Sequence, residues 1–241
     1  MLAITTFGAG EHALARRFAS QALAAQRPLL GEHHPALGKT ASVLGAVALR
    51  TQRPDEAAAY FRRATEIYRR SLGPEHPDYG QALVNLGNAH LESGEPGLAK
   101  AEYSRALEVL EPTLEPADPR LLATRANLAG ALRSLGELED ARAISLEALE
   151  PTEDAGPALA AIRCIALANL ARVHDDLGDD EMAEARYGEA LETRARVFGD
   201  DHPETLTLRD DLGVFYLERG RLVPAQALID AAYEQRLARF G

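Results

Sequence analysis

Apolar residues recur along this chain at three- and four-residue intervals, the spacing that places them on one face of a helix. The stretch 78–92 shows this, with Tyr79, Leu83, Leu86 and the small Ala82 and Ala89 falling together. The stretch 96–111 repeats it after a break at Gly94. The pattern predicts a first helix, A, over 78–92 and a second, B, over 96–111. A glycine between two such helices suits a left-handed C-cap, which ends A and lets B turn back.

The same arrangement returns every 42 residues. Steps of that length from Leu86 reach Leu44, Leu128, Leu170 and Leu212, each followed by a small residue: Gly45, Gly87, Ala129, Ala171 and Gly213. The A–B break falls at Gln52, Gly94, Gly136, Gly178 and Gly220. Two alanine series run through the B segments, Ala57 to Ala225 and Ala64 to Ala232, and Ala15 and Ala22 continue them backward. Small residues at these positions let A approach B closely, where a bulky side chain would hold the pair apart. Each pair has more apolar face than it can bury alone, so neighbours must stack.

The loop before each A segment carries a second signal. Pro35, Pro77, Pro119 and Pro203 share one phase, preceded by His34, His76, Asp118 and His202. Proline suits the first helical position because its missing N–H would be unpaired there anyway. The residue before proline is driven out of the α region, as an N-cap must be. The fourth unit departs, with "PTEDAGPALAA" in place of the His-Pro loop, which predicts a longer helix beginning near Pro157.

Taken together, the Leu-Gly of helix A, the two alanines and the aromatic at Phe61, Tyr103 and Tyr187 resemble the tetratricopeptide repeat. The 42-residue period and the loops "LGEHHPAL", "LGPEHPDY" and "FGDDHPET" resemble the kinesin light chain class of that repeat. The resemblance spans about residues 11 to 241. It implies an all-α fold, a right-handed superhelical solenoid of antiparallel helix pairs. The expected organisation is one repeat domain, 1–241. It opens with a partial repeat, a lone B helix at 11–28 with room before it for a remnant of an A helix. Five units then follow at about 36–72, 78–114, 120–150, 157–198 and 204–240. Helix 222–239 has no following unit to cover its apolar residues. The chain is therefore read either as part of a longer protein or as forming a homo-oligomer through this uncapped C-terminal helix.

Composition narrows the function classes. The formal net charge of -11 disfavours nucleic acid as a partner. The charge is unevenly spread, at +5 over residues 1–73 and -16 over the remainder, so the basic end could attract an acidic peptide. One cysteine, Cys164, excludes an internal disulfide and fits a reducing compartment. The N-terminus lacks the basic start of a signal peptide, and no apolar run reaches the ~20 residues of a membrane span. A cytoplasmic location is expected.

In stacked pairs the A helices line the concave groove, and helical phase directs Lys39, Gln81, Asn85, Asn88, Asn127, Arg133, Asn169 and Arg172 into it. Asp210 and Asp211 share that face, and Asp175 and Asp176 lie toward the same end. Asn is a mediocre helix former, so its recurrence at 85, 127 and 169 needs a cause. Resemblance to kinesin light chain repeats implies that this column contacts cargo peptides. The alternative is a ladder bonding neighbouring helices. Lys39, Arg133 and Arg172 favour acidic residues in a protein or peptide partner and the four aspartates oppose them toward the C-terminus, so an acidic peptide with an aromatic anchor is expected in the N-terminal half.

No chemistry emerges beside this. Gly38-Lys39-Thr40 resembles the end of a phosphate-binding loop but has His33 where glycine is required, and it lies between helices. His34, His76 and His202 sit on loops one or more units apart, too far for a single zinc ion. The carboxylate runs lack calcium-loop spacing. No catalytic residue, metal ligand or cofactor is expected. The chain reads as a noncatalytic interaction scaffold holding a peptide or partner domain in its groove, and the resemblance extends this to a cargo or cytoskeletal adaptor. The second reading is a sensor or autoinhibitory arm of a larger signalling ATPase or protease.

Overall fold

The computed structural model describes residues 12–152 and 157–240. The segment before residue 12, where a remnant of an A helix was expected, lies outside the described residues, as does 153–156 in the fourth loop. Among the described residues there are eleven α-helices and no strand. They form two compact units, 1–135 and 136–241. The first contains α1 (His12–Leu30), α2 (Pro35–Arg50), α3 (Pro54–Ser71), α4 (Pro77–Glu92), α5 (Pro96–Leu110) and α6 (Pro119–Ser134). The second contains α7 (Leu138–Leu149), a short 3-10 turn (Glu150–Thr152), α8 (Pro157–Asp176), α9 (Asp180–Phe198), α10 (Pro203–Glu218) and α11 (Leu222–Phe240). A helices are α2, α4, α6, α8 and α10; B helices are the others. Within each unit consecutive helices pack on one another, and A lies against its B partner in α2–α3, α4–α5, α8–α9 and α10–α11.

The His-Pro loops act as caps. His34, His76 and His202 are in extended conformation, and each Nδ1 accepts from the backbone N–H two residues on, at 3.2, 3.1 and 3.3 Å. Asp118 does the same with a carboxylate oxygen, at 2.9 Å from the Arg120 N–H. One orphan donor per helix is thereby satisfied. The four helices so capped are sixteen residues long, whereas α8, without the motif, has twenty.

At the A–B turns the backbone goes left-handed, with φ of 74° at Gly94, 76° at Gly136 and Gly178, and 69° at Gly220. Helix A then closes with a bond five residues back, such as Glu95 N–H to His90 carbonyl at 2.9 Å. Gln52 holds the same conformation, φ 56°, with a side chain that disfavours it.

Within a pair, small residues meet large ones. A Cβ added at Gly45 would sit 2.6 Å from the Phe61 ring, and one at Gly87 would sit 2.6 Å from that of Tyr103. Both rings are buried. Ala57, Ala64, Ala99, Ala106, Ala141, Ala148, Ala183, Ala190, Ala225 and Ala232 are fully enclosed, so both alanine series lie in packed seams. Stacking of one pair on the next is visible where Ala48, Ala57, Ala58 and Phe61 of the first repeat cluster with Leu86 and Ala89 of the second. His90 belongs to this interior. Its Nδ1 lies 2.7 Å from the Glu95 carboxylate at the following turn.

Candidate binding site on the A-helix face

The predicted groove residues divide between the units. Lys39, Gln81, Asn85, Asn88, Asn127 and Arg133 belong to the first, Asn169 and Arg172 to the second. In the first unit, α2 and α4 frame a cleft of about 400 Å³. Its walls include Lys39, Val43 and Ala46 from α2 and Asp78, Gln81 and Asn85 from α4, with Tyr68 at its base. Burial is the main cause that pushes the Tyr68 phenol above its ordinary value, and Asp78 adds to it, so this wall is a neutral hydroxyl. A second depression of about 410 Å³ lies farther along the same helices. It is lined by Leu49 and Arg50 from α2, Asn88, Leu91 and Glu92 from α4, Tyr103 from α5 and Asn127 from α6.

The asparagines separate into two kinds. Asn88 Oδ1 accepts from the Tyr103 hydroxyl at 2.7 Å and from Asn127 Nδ2 at 3.1 Å. The Tyr103 phenol is pushed well up by burial and stays protonated as the donor. Asn88 and Asn127 thus tie α4 to α5 and α6. Asn85 has no such partner, because the residue 39 positions before it is Ala46, which has nothing to bond. It lines the first cleft half-buried, with its amide uncommitted among the described residues. Lys39, Gln81 and Arg50 also carry no side-chain bond there. A side-chain bond between neighbouring A helices is present at the Asn88–Asn127 step, and Asn85 is outside it.

In the second unit the same 39-residue step joins Arg172 to the Asp211 carboxylate. Arg219 pairs with Asp175 at 2.7 Å, and Arg236 pairs with Asp210. The groove carboxylates 175, 210 and 211 are each matched by an arginine, and Arg172 is engaged. Asn169 lies on α8, at the phase of Asn85 and Asn127.

Val43, Ala46 and Arg50 also line these depressions, although they were not among the expected groove residues. Their phase was legible, since they stand four, seven and eleven residues past Lys39. Among the described residues no group of three His, Cys, Asp or Glu side chains could hold a metal ion, and no helix is long and apolar enough to cross a membrane.

Paired helices at a 42-residue spacing, with polar clefts between successive A helices, define an α-helical repeat protein. The chain belongs to the tetratricopeptide repeat family, whose model matches residues 1–70, 44–111, 81–150 and 162–238. No curated protein matches it by sequence. Its fold is similar to that of BtubC (BKLC) from P. vanneervenii, at TM-score 0.76 and 22% identity over 94% of this chain and 91% of that one. It is also similar to the kinesin light chain-like repeats of Podosopora anserina, at TM-score 0.68 and 19% identity over 86% and 98% of the two chains. The apo form of RapI matches at TM-score 0.70 and 14% identity over 99% and 97%.

Proposed function

We propose that this chain is a noncatalytic scaffold that binds an extended segment of a partner protein in the clefts between α2 and α4. The observation that carries this reading is the set of uncommitted polar groups at the first cleft. Lys39, Gln81 and Asn85 face a space with apolar walls at Val43 and Ala46, whereas Asn88 and Asn127 are spent on the fold. An amide on a cleft wall can donate to a peptide carbonyl and accept from a peptide N–H. Lys39 at one end and Arg50 at the other are eleven residues apart on one helix, about 16 Å at 1.5 Å per residue. That span matches about five residues of extended peptide. The preferred ligand is therefore acidic at two points, with a side chain seated between them; an aromatic anchor there follows the earlier expectation. A cargo or cytoskeletal adaptor role is the physiological form of this reading.

The test is a peptide array of acidic and neutral sequences probed with wild type, Lys39→Ala/Asn85→Ala and Arg172→Ala. The cleft variant is expected to lose at least about tenfold in affinity, near 1.4 kcal/mol, while Arg172→Ala retains binding. Equal capture of the same peptides by wild type and the cleft variant would refute the assignment.

A further inference from the structure

The first unit carries a second groove that shares no residue with the A-helix clefts. It runs from the α2–α3 turn, where Arg53 faces α1, along the B helices α1 and α3, which are bridged by the Arg16–Glu56 pair at 2.9 Å. Two depressions of about 560 and 530 Å³ lie along it. Six arginines line them, Arg16, Arg17 and Arg53 at one end and Arg27, Arg62 and Arg63 at the other, against two carboxylates, Glu32 and Glu66. Those carboxylates are already engaged: Glu32 pairs with Arg27, and Glu66 with Arg69 and Arg70. Arg62 and Arg63 have no ion-pair partner among the described residues, and Arg62 is exposed. Arg16 and Arg53 share Glu56, so the surplus positive charge rests on Arg17, Arg62 and Arg63, and it favours an anionic occupant.

The chain itself has the complementary charge. Residues 1–73 carry +5, whereas residues 136–241 hold 11 basic and 23 acidic side chains, a balance of -12. One B helix in that second unit has the matching shape. On α7, Glu139, Asp140, Glu147 and, just beyond it, Glu150 are exposed beside Leu146, which is 45% exposed, against one exposed cation, Arg142, which pairs with Glu139 at 2.6 Å. The twelve residues of α7 span about 18 Å, and the groove wall from Arg53 to Ile67 spans about 21 Å.

We propose that the arginine groove between α1 and α3 receives α7 of a second copy of this chain. The association is heterologous, basic end to acidic unit, so it can continue beyond two copies. Its contacts are peripheral charges with one apolar side chain, so it is salt-sensitive and driven mainly by the encounter rate.

The experiment is sedimentation velocity of the full chain over a wide concentration range at low and high salt. Mass is expected to rise with concentration at low salt, with an apparent Kd weakened about tenfold or more at high salt. Arg62→Glu/Arg63→Glu is expected to stay monomeric, as is Glu139→Lys/Asp140→Lys/Glu147→Lys. An equimolar mixture of the two should form one-to-one complexes, because the intact groove of the α7 variant can still receive the intact α7 of the groove variant. Far-ultraviolet circular dichroism and urea midpoints of both variants should match wild type, which separates lost association from misfolding. A wild-type monomer at every concentration would overturn the proposal, as would variants that associate normally or fail to rescue one another. Association abolished only by Tyr233→Glu/Leu237→Glu would place the contact on α11 and overturn it too. So would a monomeric chain whose groove arginines bind vesicles rich in phosphatidylserine or a DNA duplex.

Discussion

Replacing Gly87 by alanine tests the close approach of A to B at a single atom. The new Cβ would stand 2.6 Å from Tyr103 Cε1 and 2.8 Å from Cδ1. Carbon atoms settle at about 3.5–4.0 Å, so the ring must retreat by about 1 Å. Tyr103 is fully buried, and its hydroxyl donates to Asn88, which in turn accepts from Asn127. A retreat therefore strains the seam and lengthens the bond that joins three helices. Overpacking costs about 1–3 kcal/mol, and a weakened buried hydrogen bond about 1 kcal/mol. Alanine's better helix propensity returns about 1 kcal/mol. The net loss is about 1–3 kcal/mol. Urea denaturation followed by circular dichroism reads it as a lower midpoint at constant slope. Gly188→Ala is the control, since no atom lies within 4 Å of its Cβ position in the middle of α9. That variant should gain about 0.5–1 kcal/mol. If Gly87→Ala were neutral or stabilising, the claim that glycine is required for pair packing would be wrong.

Five further substitutions, at four positions, follow from the same geometry. Gln52→Gly relieves a non-glycine left-handed residue at φ 56° and should raise the urea midpoint, by about 0.5–1 kcal/mol after the entropy of glycine is counted. His76→Ala removes the α4 cap and should cost about 0.5–2 kcal/mol, whereas His76→Asp, the solution α6 uses at Asp118, should keep stability within about 0.5 kcal/mol in the same assay. Asn88→Ala strands the Tyr103 hydroxyl and should destabilise by about 1–3 kcal/mol, while Asn85→Ala should stay within about 0.5 kcal/mol by thermal melting, because it holds nothing in the fold.

Much of the fold was legible because its signals are local. The proline loops, the glycine turns and the alanine seams act within a few residues, and 42-residue repetition multiplies each one. The polar contacts of the A-helix face were less legible. Asn127 meets Asn88, and Asp211 meets Arg172, at an offset of 39 residues. That offset is the stagger of successive A helices, three residues short of the repeat length, and it emerges only once the helices are stacked. Asn85 and Asn127 share a phase but differ in neighbours, since Asn127 meets Asn88 and Asn85 stands opposite Ala46. Ala46 is the reason Asn85 is uncommitted, and nothing near Asn85 in sequence says so. Gln52 was marked by its place in the glycine series, although only its dihedral angle shows that the turn is kept without glycine.

The central functional claim concerns which face holds the partner. Site-specific photo-crosslinking measures this directly, with a benzophenone side chain placed in turn at Val43, inside the first cleft, and at Leu98, exposed on the B helix α5. With a peptide chosen from the array, the account predicts strong crosslinking from position 43 and none above background from position 98. Crosslinking from 98 with none from 43 would contradict it.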